Sequence, residues 1–100
     1  MLDLYILKYR KPVVCPDLKK WGKQFDRKRR RVRFTVLHKD LEVSTVFLGV
    51  NHSWDGGLEL FETAIIDRGE FEIVGRCDTW RHALKQHWKA VDELRTFILD

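Results

Sequence analysis

Cysteine, proline and methionine are scarce in this chain, at two, two and one in 100 residues. Cys15 and Cys77 stand 62 positions apart with no Cys-x-x-Cys spacing. That excludes a disulfide framework, and two unpaired thiols suit a reducing cytoplasm. No apolar run approaches the ~18 residues needed to span a bilayer. The segment Met1 to Lys8 has neither a basic start nor a small-residue cleavage site, so it is not expected to act as a signal peptide. The motifs of common chemistries are missing too. There is no Gly-x-Ser-x-Gly, no Walker-type loop, no Gly-x-Gly-x-x-Gly, and no His-x-x-x-His or His-Glu-x-x-His. No RNA-recognition or zinc-finger signature occurs. No enzyme, catalytic residue, metal or cofactor is therefore expected.

What is present fits one small domain over residues 1–100, with 44% hydrophobic residues and 12 aromatics to fill a core. Charge is unevenly spread. Between Lys19 and Arg33 nine basic residues (Lys19, Lys20, Lys23, Arg27, Lys28, Arg29, Arg30, Arg31, Arg33) face one acid, Asp26, while the rest of the chain carries ten basic and fourteen acidic residues. A concentrated positive segment favours an anionic partner, or else forms a solvated helix face.

Leu2 to Tyr9 alternates loosely and is expected as a strand ended by Pro12. Pro16-Asp17 should open a helix, with Leu18, Trp21 and Phe25 on its apolar face and the cations on the other. Val32, Phe34 and Val36 mark the buried face of a second strand. Val43 to Val50 reads as a central strand buried on both faces. Asn51 to Gly57 is a loop, Leu58 to Ile66 a returning strand, and Phe71 to Gly75 a short last strand. A final helix, capped by Asp78 or Thr79, carries Trp80, Leu84, His87, Val91, Leu94 and Ile98 at alternating spacings of four and three, widened by Ala83 and Trp88. The expected fold is α+β: an antiparallel sheet of four to five strands with a basic N-terminal helix and an amphipathic C-terminal helix packed on it, in the order β-α-β-β-β-β-α.

Three groups of residues carry candidate chemistry. Glu62 shares a strand face with Leu60, Ala64 and Ile66, where an unpaired charge is costly. His87, on the inward helix stripe, is its expected partner. The pair either ties helix to sheet or, with His52, forms a metal or catalytic site. The loop combines His52, Ser53, Trp54 and Asp55, a composition suited to binding, or folds Trp54 over the core edge. The basic segment, with Trp21 and Phe25, could grip a nucleic-acid backbone. Cys15 beside Pro16 has no histidine nearby in sequence to activate it.

The stretch Val43 to Val50, then His52, Gly56, Gly57, Leu60 to Thr63, Arg76, Thr79, Trp80, Ala83 and His87, resembles a group of small tailed-phage and prophage proteins. Their shared core runs Val-Ser-Thr-Val-Phe-Leu-Gly, a histidine, a Gly-rich loop, Leu-Phe-Glu-Thr and a Thr-Trp-x-x-Ala-x-x-x-His helix. The resemblance spans roughly residues 32–92. The chain departs from the pattern at Asn51 (usually Asp), at Cys77 (usually Tyr) and at Arg81-His82 (usually acidic), and its basic run is denser. The resemblance implies a phage accessory protein acting in a bacterial host cytoplasm, and no reaction. Without a catalytic motif, the expectation is a protein that binds a host or phage macromolecule, such as a host defence complex that it would inhibit. The alternative is a nucleic-acid-binding module built on residues 19–33; a metal-dependent hydrolase around His52, Glu62 and His87 is a more distant one.

Overall fold

In the computed structural model, residues 3–24 and 30–99 are described. The elements are β1 (Tyr5–Lys8), β2 (Lys11–Val14), α1 (Leu18–Gln24), β3 (Arg31–His38), β4 (Leu41–Phe47), β5 (Phe61–Asp67), β6 (Glu70–Cys77) and α2 (Trp80–Leu99). The fold is α+β. β3 to β6 form a four-stranded antiparallel meander in sequence order, and β1 and β2 form a separate hairpin.

The N-terminal strand is thus the first arm of a hairpin, and Pro12 lies within β2 opposite Leu7 rather than ending the strand. The two-residue turn is Tyr9-Arg10, with φ of +51° and +67°. Such a turn calls for positive φ at both positions and normally takes Asn-Gly or Asp-Gly. An L-residue with a side chain costs about 1–2 kcal/mol there, which is why composition did not announce this turn.

α1 starts where Pro16-Asp17 puts it. The Asp17 carboxylate caps it, accepting from the Lys19 and Lys20 amides at 2.9 and 3.3 Å. Its expected apolar face is only half realised: Leu18 is 67% exposed, and Phe25 lies outside the described residues. Trp21 is partly buried, and its indole donates to the Gly49 carbonyl at 3.0 Å. The Gln24 amide binds both backbone groups of Leu7, at 2.6 and 2.8 Å, locking α1 to β1.

α2 packs across one face of the sheet. Its buried residues are Ala83, His87, Ala90 and Val91. Around Phe47, Leu60, Phe61 and Ala83 gather Tyr5, Leu7, Val32, Cys77 and Trp80; around Val43, Ala90 and Val91 gather Leu37, Ile65 and Leu94. Thr79, not Asp78, caps the helix: its hydroxyl accepts from the His82 amide at 3.1 Å. Asp78 instead holds the His82 imidazole at 2.7 Å.

Two strand expectations need correction. In β4 only the face with Val43, Thr45 and Phe47 is buried, while Glu42, Ser44 and Val46 are partly exposed. One helix covers one face, so alternation governs, and the apolar run Val43 to Val50 overstated the burial. In β3 the register shifts between Arg31 and Arg33. This bulge inverts the alternation beyond it. Val32 reaches the core, but Thr35 and Leu37 replace the expected Phe34 and Val36 on the helix side, and Val36 is exposed.

Gly49 follows β4 at φ +75°, and its carbonyl accepts from both Tyr5 N (2.8 Å) and the Trp21 indole. A Cβ there would stand 3.0 Å from Trp21 Nε1. Gly49→Ala should therefore lower stability by about 2 kcal/mol, read as a lower urea midpoint at unchanged slope. An unchanged midpoint would show that this junction does not fix α1 and β1 to the sheet.

Candidate functional site

The one fully buried imidazole is held by threonines among the described residues. His87 sits on α2 at 0% exposure. Its Nε2 lies 2.8 Å from Thr35 Oγ1, and its Nδ1 lies 2.8 Å from Thr45 Oγ1. Thr45 Oγ1 also meets Thr63 Oγ1 at 2.7 Å. Three adjacent strands thus contribute one hydroxyl each beneath the helix. A neutral imidazole has one donor and one acceptor nitrogen, and hydroxyls can complement both. Burial lowers the His87 pKa to about 4, and the charge of Arg33 adds to the effect. The ring is therefore neutral at pH 7, sealed from solvent, and joins the helix to the sheet.

The expected Glu62–His87 contact does not form. Glu62 and Thr63 are consecutive in β5, so they point to opposite faces, and Thr63 takes the helix side. Glu62 instead binds Arg76 Nε at 3.1 Å across the β5–β6 pair. It does share its side with Ala64 and Ile66, but that side faces away from α2. His52 is exposed on its loop. No group of three His, Cys, Asp or Glu among the described residues could hold a metal ion. Cys15 is buried with its thiol against the Asp17 carbonyl, and burial pushes the Cys77 thiol up to about 11, with Asp78 adding to it.

The basic segment divides. Lys19 and Lys20 are exposed on α1. The bulge in β3 sends Arg31 and Arg33 to opposite faces: Arg31 lies 4.5 Å over the Phe34 ring, and Arg33 lies 5.2 Å over Trp88 of α2. Lys23 belongs to α1, Arg30 precedes β3, and Arg27, Lys28 and Arg29 fall outside the described residues.

The loop between β4 and β5 is the best-built exposed feature. Asn51 staples it: Oδ1 accepts from Ser53 N (3.0 Å) and Glu59 N (2.9 Å), while Nδ2 donates to the Gly57 carbonyl (2.9 Å). Asp55 braces its tip, accepting from Ser53 Oγ (2.6 Å) and Gly57 N (3.2 Å). Those bonds, the Ser53 hydroxyl first, hold the Asp55 carboxyl below its usual range. Between these anchors Trp54 stands wholly in solvent, at 101% exposure. It does not fold over the core edge. Asn51 is thus the residue that organises this loop. The open face of the sheet adds exposed Val36, Phe71 and Ile73.

No helix among the described residues is long and apolar enough to cross a membrane. No protein-family model, curated protein or solved structure matches the chain.

Proposed function

We propose that this chain is a non-enzymatic phage accessory protein that binds a host or phage protein in the bacterial cytoplasm, with Trp54 as its central contact. The exposure of Trp54 on a braced loop carries this reading. Burying a large apolar side chain contributes about 1.5–3 kcal/mol, and this fold leaves that contribution unused. A loop already ordered by Asn51 and Asp55 loses little entropy when a partner covers it. Tryptophan in such a position is the usual energetic centre of a protein interface. His52 and Asp55 flank it and supply polar contacts at the rim. Within this class, inhibition of a host defence complex suits the divided charge, because such a target combines protein with bound nucleic acid.

The test compares wild type and Trp54→Ala as tagged baits in bacterial lysate treated with nuclease, followed by titration of the captured protein. Trp54→Ala should weaken binding about 30-fold or more. Its stability should stay within about 0.5 kcal/mol of wild type. Equal affinity for the same partner would overturn the reading. A large loss of stability would show that Trp54 serves the fold.

A further inference from the structure

We propose that the tip of the β1–β2 hairpin is a binding site for single-stranded nucleic acid, with Tyr9 as a stacking platform and Lys8, Arg10 and Lys11 as phosphate contacts. The site is distinct from the loop of Trp54. That loop neighbours the start of the hairpin, where Tyr5 N binds Gly49 O and Leu4 bridges Val50, whereas Tyr9 and Arg10 form the far end.

Three observations meet at this tip. First, Tyr9 and Arg10 both occupy the left-handed region in a turn that Asn-Gly or Asp-Gly would form without strain. Second, Tyr9 is 96% exposed, so no packing explains an aromatic in that conformation. Third, the four residues Lys8 to Lys11 are all exposed, and three are cationic, with the nearest acids in sequence being Asp3 and Asp17.

α1 runs beside the hairpin and carries further cations. The Gln24 bonds to Leu7 hold α1 beside β1, so the helix bearing exposed Lys19 and Lys20 flanks the hairpin. The Arg10 guanidinium lies 5.3 Å over the Trp80 ring, which holds it at the base of the tip.

Cations alone would suit any acidic partner. An exposed ring among them selects a ligand that offers both phosphates and flat faces. Duplex bases are already stacked on each other, so the ligand is a single strand. RNA and DNA share this chemistry.

The experiment titrates the full chain against labelled oligo(dT) and oligo(U) of about 12 nucleotides, and against a duplex of equal length, at low and at higher salt. Wild type should prefer a single strand over duplex and weaken as salt rises. The two oligonucleotides tell DNA from RNA. Tyr9→Ala should reduce affinity about ten-fold. The variant Tyr9→Asn, which keeps the Arg10 contact with Trp80, should lose at least as much binding while its melting temperature rises by about 2–4 °C. Gain of stability with loss of binding is the signature of strain kept for a ligand.

Wild-type affinity in the Tyr9 variants would overturn the proposal. So would the absence of binding at low salt, or equal duplex binding with no dependence on Tyr9. Loss in Lys19→Glu/Lys20→Glu with the Tyr9 variants unaffected would move the site to α1 and overturn it as well.

Discussion

Acidification from pH 7 to pH 4 should remove about 3 kcal/mol of stability, and His87→Leu should abolish most of that dependence. His87 is buried between two threonine hydroxyls, and burial lowers its pKa from 6.5 to about 4. The unfolded chain therefore binds the proton more tightly than the folded one. The contribution is complete above about pH 6.5 and is lost as pH falls from there toward 4, at about 1.4 kcal/mol per pH unit. Arg33, the charged neighbour from β3, acts in the same direction. Hydrogen bonds hold the Asp55 and Asp78 carboxyls below their usual range, so any loss they add comes at the acid end of the titration and remains in the His87→Leu variant. The variant separates the two effects. At pH 7, His87→Leu should itself cost about 1–3 kcal/mol, because Thr35 and Thr45 each lose a partner. Its stability should then stay nearly flat down to about pH 4.5, so that the two curves converge in acid. Urea titrations at a series of pH values measure this. Parallel curves would mean that water reaches the imidazole in the native state.

This network also shows where sequence reasoning stopped. The 3.6-residue period placed His87 on the inward stripe of α2, and the structure buries it there. Its two partners come from strands 52 and 42 positions away, and Thr63, which bonds Thr45, from a third, so no local pattern names them. One signal was available: Thr45 lies between Val43 and Phe47 on one strand face, and Thr63 between Phe61 and Ile65 on the next. Inward threonines in two apolar rows imply a buried hydrogen-bonding group between them. Glu62 drew attention instead because a lone carboxylate among apolar residues stands out. Which face of β5 met the helix depended on the Thr45–Thr63 register, and alternation alone leaves that sign undetermined. β3 failed for a related reason, since a bulge moves a face without marking the composition. The hairpin was missed because its turn uses Tyr9 and Arg10 where turn chemistry calls for Asn and Gly. Trp54 is legible in the sequence as a candidate, but a ring laid on the core and one held in solvent share the same local pattern, and only the fold separates them.

Arg76→Ala should destabilise the protein by about 2–3 kcal/mol at pH 7, and Glu62→Gln in the same chain should restore most of the loss. Glu62 is 9% exposed and binds Arg76 Nε at 3.1 Å. Without the guanidinium, a nearly buried carboxylate is left with its charge uncompensated. The upper range for breaking a buried pair does not apply, because about a third of the Arg76 side chain is exposed and water can follow it in. Glu62→Gln alone should be milder, since Arg76 can turn toward solvent. A double-mutant cycle should therefore give coupling above about 1 kcal/mol; additive single effects would mark the pair as an ordinary surface contact. The effect should also reach the contact loop. Leu60, where the loop rejoins the sheet, donates to the Cys77 carbonyl next to Arg76 and accepts from Leu48 N at the loop's other end. The Glu62–Arg76 pair thus clamps β5 to β6 where the Trp54 loop is closed. In Arg76→Ala, amide hydrogen exchange should rise at Leu60 and Leu48 before it rises at Val43 or Val91, in the core at the other end of the sheet. Uniform acceleration would instead show that the pair supports the whole domain and not the frame of the loop.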